Sequence, residues 1–154
     1  MNINLVGSEL LMKESFFGLG VMALVAICNV YAFAAVALAY RNRLKTATYR
    51  GKHIEILRFS LYTMLLIVGM FMSLTVWIVA LSFFEIVANW EAAVLLTVSF
   101  FTSVGNFSQD LPFGWRLIPS LIAFSGLFSF AWATASSIGM AHQLLVYLDK
   151  HKDL

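Results

Sequence analysis

Trp90-Glu91-Ala92-Ala93-Val94-Leu95-Leu96-Thr97-Val98-Ser99-Phe100-Phe101 runs directly into Thr102-Ser103-Val104-Gly105-Asn106-Phe107-Ser108-Gln109-Asp110-Leu111-Pro112, and a long apolar run follows through Met140. The first of these segments has only about half of the ~20 residues a helix needs to cross hydrocarbon. Short helix, polar loop, full helix is an order that brings backbone carbonyls to membrane depth around an aqueous path, because lipid cannot satisfy the polar groups of non-helical backbone. The stretch reads as a re-entrant pore loop.

Composition sets the medium in which this loop is read. Hydrophobic residues make up 61% of the 154-residue chain and charged residues 12%, against roughly a quarter charged in soluble domains. With a mean hydropathy of +0.86, the chain reads as an all-α integral membrane protein. The single cysteine, Cys28, excludes an intramolecular disulfide and a Cys-based metal cluster.

Three runs are long enough to span: a lead helix over 16–40, an outer helix over 57–87 and an inner helix over 115–140. Between them lie a basic loop over 41–56 and the pore helix and filter loop over 91–112, and a tail over 141–154 closes one membrane domain. Met1 to Ser15 lacks a basic leader, so the lead helix is expected to be retained. Eight of the ten basic residues lie in the first loop or just beyond it (Arg41, Arg43, Lys45, Arg50, Lys52, Arg58) and in the tail (Lys150, Lys152). Basic residues resist translocation, so both segments are expected in the cytoplasm and the amino terminus outside. The segment around Ala92 must then enter and leave on the outer face. A chain without large tails fits a bacterial inner membrane.

The half-hairpin carries the chemistry. Asn89 is placed to cap the short helix, and Glu91 in its first turn suits the positive end of the helix dipole. The opposite, negative end favours a cation beneath it. Thr102, Ser103, Asn106, Ser108 and Gln109 argue for water along the path that follows.

Here the chain resembles the pore module of potassium-channel-like cation channels. In that family an outer helix leads to a pore helix, a filter written T-T-V-G-Y-G-D, a short loop often with proline, and an inner helix that begins near Gly-Arg-Leu. This sequence offers Trp90, Thr102-Ser103-Val104-Gly105, Asp110, Pro112, Gly114-Trp115-Arg116-Leu117 and a mid-helix Gly126. The resemblance covers roughly Phe59 to Met140. It implies a homotetramer around one axis, because each chain supplies a single pore helix, and it implies a filter over Thr102, Ser103, Val104, Gly105, Asn106, Phe107 and Ser108. Monovalent cations, K⁺ or Na⁺, are the implied ligands at Thr102 to Gly105, and no other cofactor is expected. Four copies of Glu91 and Asp110 would concentrate cations at the outer mouth.

The resemblance ends after Gly105. The family has an aromatic residue and a second glycine there, whereas Asn106-Phe107-Ser108-Gln109 precedes Asp110 here. Glycine adopts the backbone angles that aim successive carbonyls at an ion, and Phe107 or Ser108 does so only at a cost. The expectation is a wider outer filter with weak K⁺ over Na⁺ discrimination, open to divalent ions as well. The same departure supports an alternative, a nonconducting membrane subunit that assembles with or regulates another protein.

On the inner helix, Ser125, Ser129, Ala133, Ser136 and Met140 recur at helical spacing, which suits either pore lining or close helix packing. Gly126 is a hinge candidate in that helix. Arg41, Arg43, Lys45, Arg50 and Lys52 suit contact with anionic lipid headgroups or serve only to set topology. Asn29 suits an interhelical hydrogen bond, and Trp77 and the Phe83-Phe84 and Phe100-Phe101 pairs suit packing and interfacial anchoring. His142 suits an interfacial position near the inner mouth or, less simply, a pH sensor. An enzyme is not expected, for want of G-x-S-x-G, H-E-x-x-H or a close acidic dyad within a span, and neither is a nucleic-acid partner.

Overall fold

A computed structural model of the chain describes residues 3–46, 51–105, 111 and 115–151, with side chains from Ser15 onward. The described residues form four helices: α1 (Ile3–Thr46), α2 (Lys52–Phe83), α3 (Trp90–Phe101) and α4 (Ile118–Lys150). Three stretches, Ser15–Thr46, Lys52–Phe83 and Ile118–Lys150, are long and apolar enough to cross a membrane, and α3 is a shorter apolar helix. Many large apolar side chains on the long helices face outward, among them Phe16, Tyr31, Phe71 and Ile138, as expected where hydrocarbon is the solvent.

The helix ends differ from the hydropathy pattern for identifiable reasons. Polar side chains do not interrupt the intrahelical hydrogen bonds, so α1 continues to Thr46 and α4 to Lys150, into the expected loop and tail. At 32 residues, α2 is about 48 Å long at helical rise and outruns the hydrocarbon. Gly51, with φ 109°, directly precedes α2, and its carbonyl accepts from the Glu55 N–H at 3.3 Å. Pro119 sits in the first turn of α4, where its missing N–H removes no helical bond.

Although apolar residues continue, α2 stops at Phe83, because the next turn closes over it. The Ile86 N–H donates to the Leu81 carbonyl (3.1 Å), and the Glu85 N–H to the Ser82 carbonyl (3.2 Å). Glu85 takes the left-handed conformation, φ 50°. This is the Schellman pattern of a helix C-terminus, and Ile86 and Leu81 are both buried.

Two compact units divide the chain. The first is Met1–Ile27 with Met72–Ser129, and the second is Cys28–Phe71 with Phe130–Leu154. In the first, the Phe17 ring meets Phe84 edge-on at 4.7 Å and Trp115 at 5.4 Å. In the second, Phe33, Tyr40, Leu66, Ala133, Met140 and Leu144 form the core, and Tyr40 packs edge-on against Tyr62 at 5.2 Å. Glu55, 1% exposed, pairs there with Arg58 one turn along α2.

Candidate functional site

The candidate site is the C-terminal end of α3 and the turn that follows it, both in the first unit. Asn89 caps α3 as its sequence suggests: Oδ1 accepts from the Ala92 N–H at 2.8 Å, which satisfies one of the orphan donors of the first turn. Glu91 is exposed in that turn. The buried side of α3 carries Ala92, Ala93, Leu96, Thr97 and Phe101.

Phe17 gathers Phe84, at the end of α2, and Trp115, just before α4, at one end of this unit. Only 85–89 separates Phe84 from α3, so α3 starts from that end too. Its far end rests on Gly126. A Cβ built on Gly126 would collide with the Phe101 carbonyl oxygen and stand 2.9 Å from the carbonyl carbon, so no other residue fits there without displacement. Gly126 lies eight residues beyond Ile118, the first residue of α4, or about 12 Å along the helix. Close approach is therefore what the structure requires of Gly126, within a helix that runs through it.

The segment Thr102–Gly105 then folds back on α3. Thr102 donates its N–H to the Val98 carbonyl at 3.1 Å, and its hydroxyl donates to the same oxygen at 2.7 Å. The Ser103 N–H reaches the Phe100 carbonyl (2.9 Å), and the N–H groups of Val104 and Gly105 share the Ser99 carbonyl (2.9 and 3.0 Å). The turn needs two left-handed residues, Ser103 at φ 60° and Gly105 at φ 70°. For glycine that conformation is free, whereas for serine it costs about 1–2 kcal/mol.

This arrangement decides where the carbonyls go. No peptide bond among the described residues is cis, and in a trans peptide the C=O points opposite to the following N–H. With the N–H groups of Ser103, Val104 and Gly105 turned in toward α3, the carbonyls of Thr102, Ser103 and Val104 turn away from it. All four residues from Thr102 to Gly105 are exposed. Asn106, Phe107, Ser108 and Asp110, the rest of the expected filter and mouth, lie outside the described residues.

The α4 stripe, suited in sequence to pore lining or to close packing, is largely covered by the chain's own helices. Ser125, Ser129, Ala133 and Met140 are buried within the chain itself, with exposures of 2%, 0%, 9% and 0%, and Ser136 is half-buried. Small side chains let helices approach closely, and here they are used for that. Outward residues of α4 include the large apolar Phe124, Leu127, Phe128 and Ile138 and also the small Ala131, Thr134, Ala135 and Gly139.

One side chain read only as packing has a specific partner. Trp77 is fully buried, and its Nε1–H donates to Ser125 Oγ at 2.7 Å. Nothing in the sequence pairs these residues, which stand 48 positions apart. Among the basic residues suggested for lipid contact, Arg41, Arg43, Lys45 and Lys52 are exposed, and Arg50 is outside the described residues. Asn29 is buried and His142 exposed. Among the described residues no group of three or more His, Cys, Asp or Glu is placed to hold a metal ion.

No protein-family model matches the chain, and no significant similarity to a curated protein or a solved structure is found.

Proposed function

We propose that this protein is the subunit of a cation-conducting pore. In this reading α3 is a re-entrant helix, and the carbonyls of Thr102, Ser103 and Val104 face a water-filled path shared by four copies. The observation that carries it is the turn at Thr102–Gly105: its N–H groups are spent on α3, so three successive carbonyls turn outward. Oxygen dipoles in such a row replace the water around a monovalent cation.

Depth supports the same reading. If α4 begins near one membrane face, the Phe101–Gly126 contact stands about 12 Å into a hydrocarbon layer of about 30 Å. Exposed, non-helical backbone at that depth needs water or protein beside it, never lipid. A circle of copies around an aqueous axis supplies both. The side with the basic residues of α1 and the tail of α4 is cytoplasmic in this arrangement, and α3 enters from the outer side. The divergent sequence after Gly105 gives weak K⁺ over Na⁺ selectivity.

One observation favours the alternative, a nonconducting subunit. Ser125 and Ser129 of α4 are buried within the chain, which takes two hydroxyl groups away from any inner cavity. Ion flux through purified protein in vesicles separates the two. Monovalent cation flux with similar reversal potentials in K⁺ and Na⁺ gradients is the expected result. No flux from correctly assembled protein overturns the conducting reading, and strong K⁺ preference overturns the weak selectivity.

A further inference from the structure

Trp77 stands on α2, away from the filter turn in sequence and outside the resemblance's list of filter parts, yet the hydrogen bonds around it converge on the filter's support. Its indole N–H is a donor only, and it ends on Ser125 Oγ, where both residues are buried. Ser125 Oγ in turn donates to the Ile122 carbonyl at 2.8 Å, and Ser129 Oγ donates to the Ser125 carbonyl at 2.6 Å. The hydroxyl of Ser125 therefore sits fixed between its own helix and α2.

The next residue is Gly126, the one position on α4 that admits the Phe101 carbonyl. Adjacent residues on a helix point about 100° apart. Ser125 thus addresses α2 while Gly126 addresses α3, and the two contacts together fix the rotation of α4 about its axis. Were α4 to turn by one residue, the Cβ of Ser125 or Leu127 would meet the root of the filter turn in place of bare backbone. Phe101 is followed at once by Thr102, so any such shift moves the outward carbonyls directly.

We infer that Trp77 is a positioning residue for the filter: through Ser125 it sets the rotation of α4, and through Gly126 it sets the placement of the Thr102–Val104 carbonyls. This inference rests on the pore reading for its consequence, selectivity, but its structural content stands apart from conduction. In a low-dielectric interior, neither partner of the bond has water to replace the other. The bond is therefore a rigid link, which a packing contact of the same area is not.

The test uses the full-length protein reconstituted in vesicles, with two readouts. Trp77→Phe keeps an aromatic ring and removes the N–H, Ser125→Ala removes the acceptor, and Ser125→Thr keeps the hydroxyl. The K⁺/Na⁺ permeability ratio is expected to shift roughly threefold or more in Trp77→Phe and in Ser125→Ala, with no added shift in the double variant, as for two residues joined in one interaction. Ser125→Thr is expected to retain the parent ratio. The second readout is hydrogen exchange of the peptide spanning 99–105, expected to quicken about tenfold in Trp77→Phe and Ser125→Ala while exchange in the second unit stays unchanged. Unaltered exchange at 99–105 in assembled Trp77→Phe overturns the inference, and so does an exchange increase spread evenly over the chain. If the parent protein passes no ions, the pore reading falls, and the exchange measurement still decides the role of Trp77.

Discussion

The ends of α2 and α3 share one backbone device and differ in what completes it. Both close in a Schellman turn with a non-glycine residue in the left-handed position, Glu85 at φ 50° and Ser103 at φ 60°. Such turns commonly gain a hydrophobic contact between the residue after the left-handed one and the helix residue whose carbonyl it caps. At α2 those residues are Ile86 and Leu81, 3% and 0% exposed. At α3 they are Val104, 72% exposed, and Ser99, a polar residue. The first turn is completed within its own chain. The second is strained to the same degree, and its apolar member is left outward. A neighbouring copy at that place is what the proposed assembly supplies.

Four experiments press on this contrast. The largest effect is expected at the seat of α3: Gly126→Ala should destabilise the protein by about 3 kcal/mol, since a backbone carbonyl in packed surroundings yields little room. Gly139→Ala, with nothing within 4 Å of the new methyl, should instead gain up to about 1 kcal/mol from helix propensity. Chemical denaturation in detergent reads both, and equal outcomes would remove the close approach as the reason for Gly126.

Next come the two outer members of the turns. Ile86→Ala should cost about 2 kcal/mol through the cavity it leaves. Val104→Ala should cost less than about 0.5 kcal/mol of subunit stability and instead weaken assembly, read as a lower oligomer fraction by light scattering. A stability loss at Val104 as large as that at Ile86 breaks the comparison. Smaller still, Glu85→Gly and Ser103→Gly should each stabilise by about 1 kcal/mol, by relief of the left-handed strain. Thermal unfolding checks this, and destabilisation at either position contradicts its backbone conformation. The smallest effect is electrostatic: Asp110→Asn should lower single-channel cation conductance about twofold at low salt and hardly at all near 1 M, where the Debye length shrinks to about 3 Å. Conductance that does not depend on this charge at low salt takes Asp110 away from the mouth.

What was legible in the sequence followed from effects that are local along the chain. The three long apolar runs, the half-length of α3 and the Asn89 cap depend on residues within a turn or two of one another. The end of α2 was not legible: Phe84-Glu85-Ile86-Val87 contains neither glycine nor proline, and the stop comes from a strained turn that burial of Ile86 stabilises. Nor was the use of the α4 stripe. Ser125 and Ser129 carry the same sequence pattern whether they meet water or a neighbouring helix, and only the tertiary position of Trp77 distinguishes the two. The non-helical stretch after α3, Thr102 to Gly105, was legible from its polar and glycine residues, but the direction of its carbonyls depends on hydrogen bonds that composition does not encode.

The contact between Phe101 and Gly126 also has a bearing on biosynthesis. The seat is translated after the helix that occupies it, and α3 is too short to be inserted as a span by its own apolarity. In the proposed arrangement α3 therefore waits at the membrane surface until α4 is in place, and the loop becomes a late-forming element whose docking follows the insertion of α4.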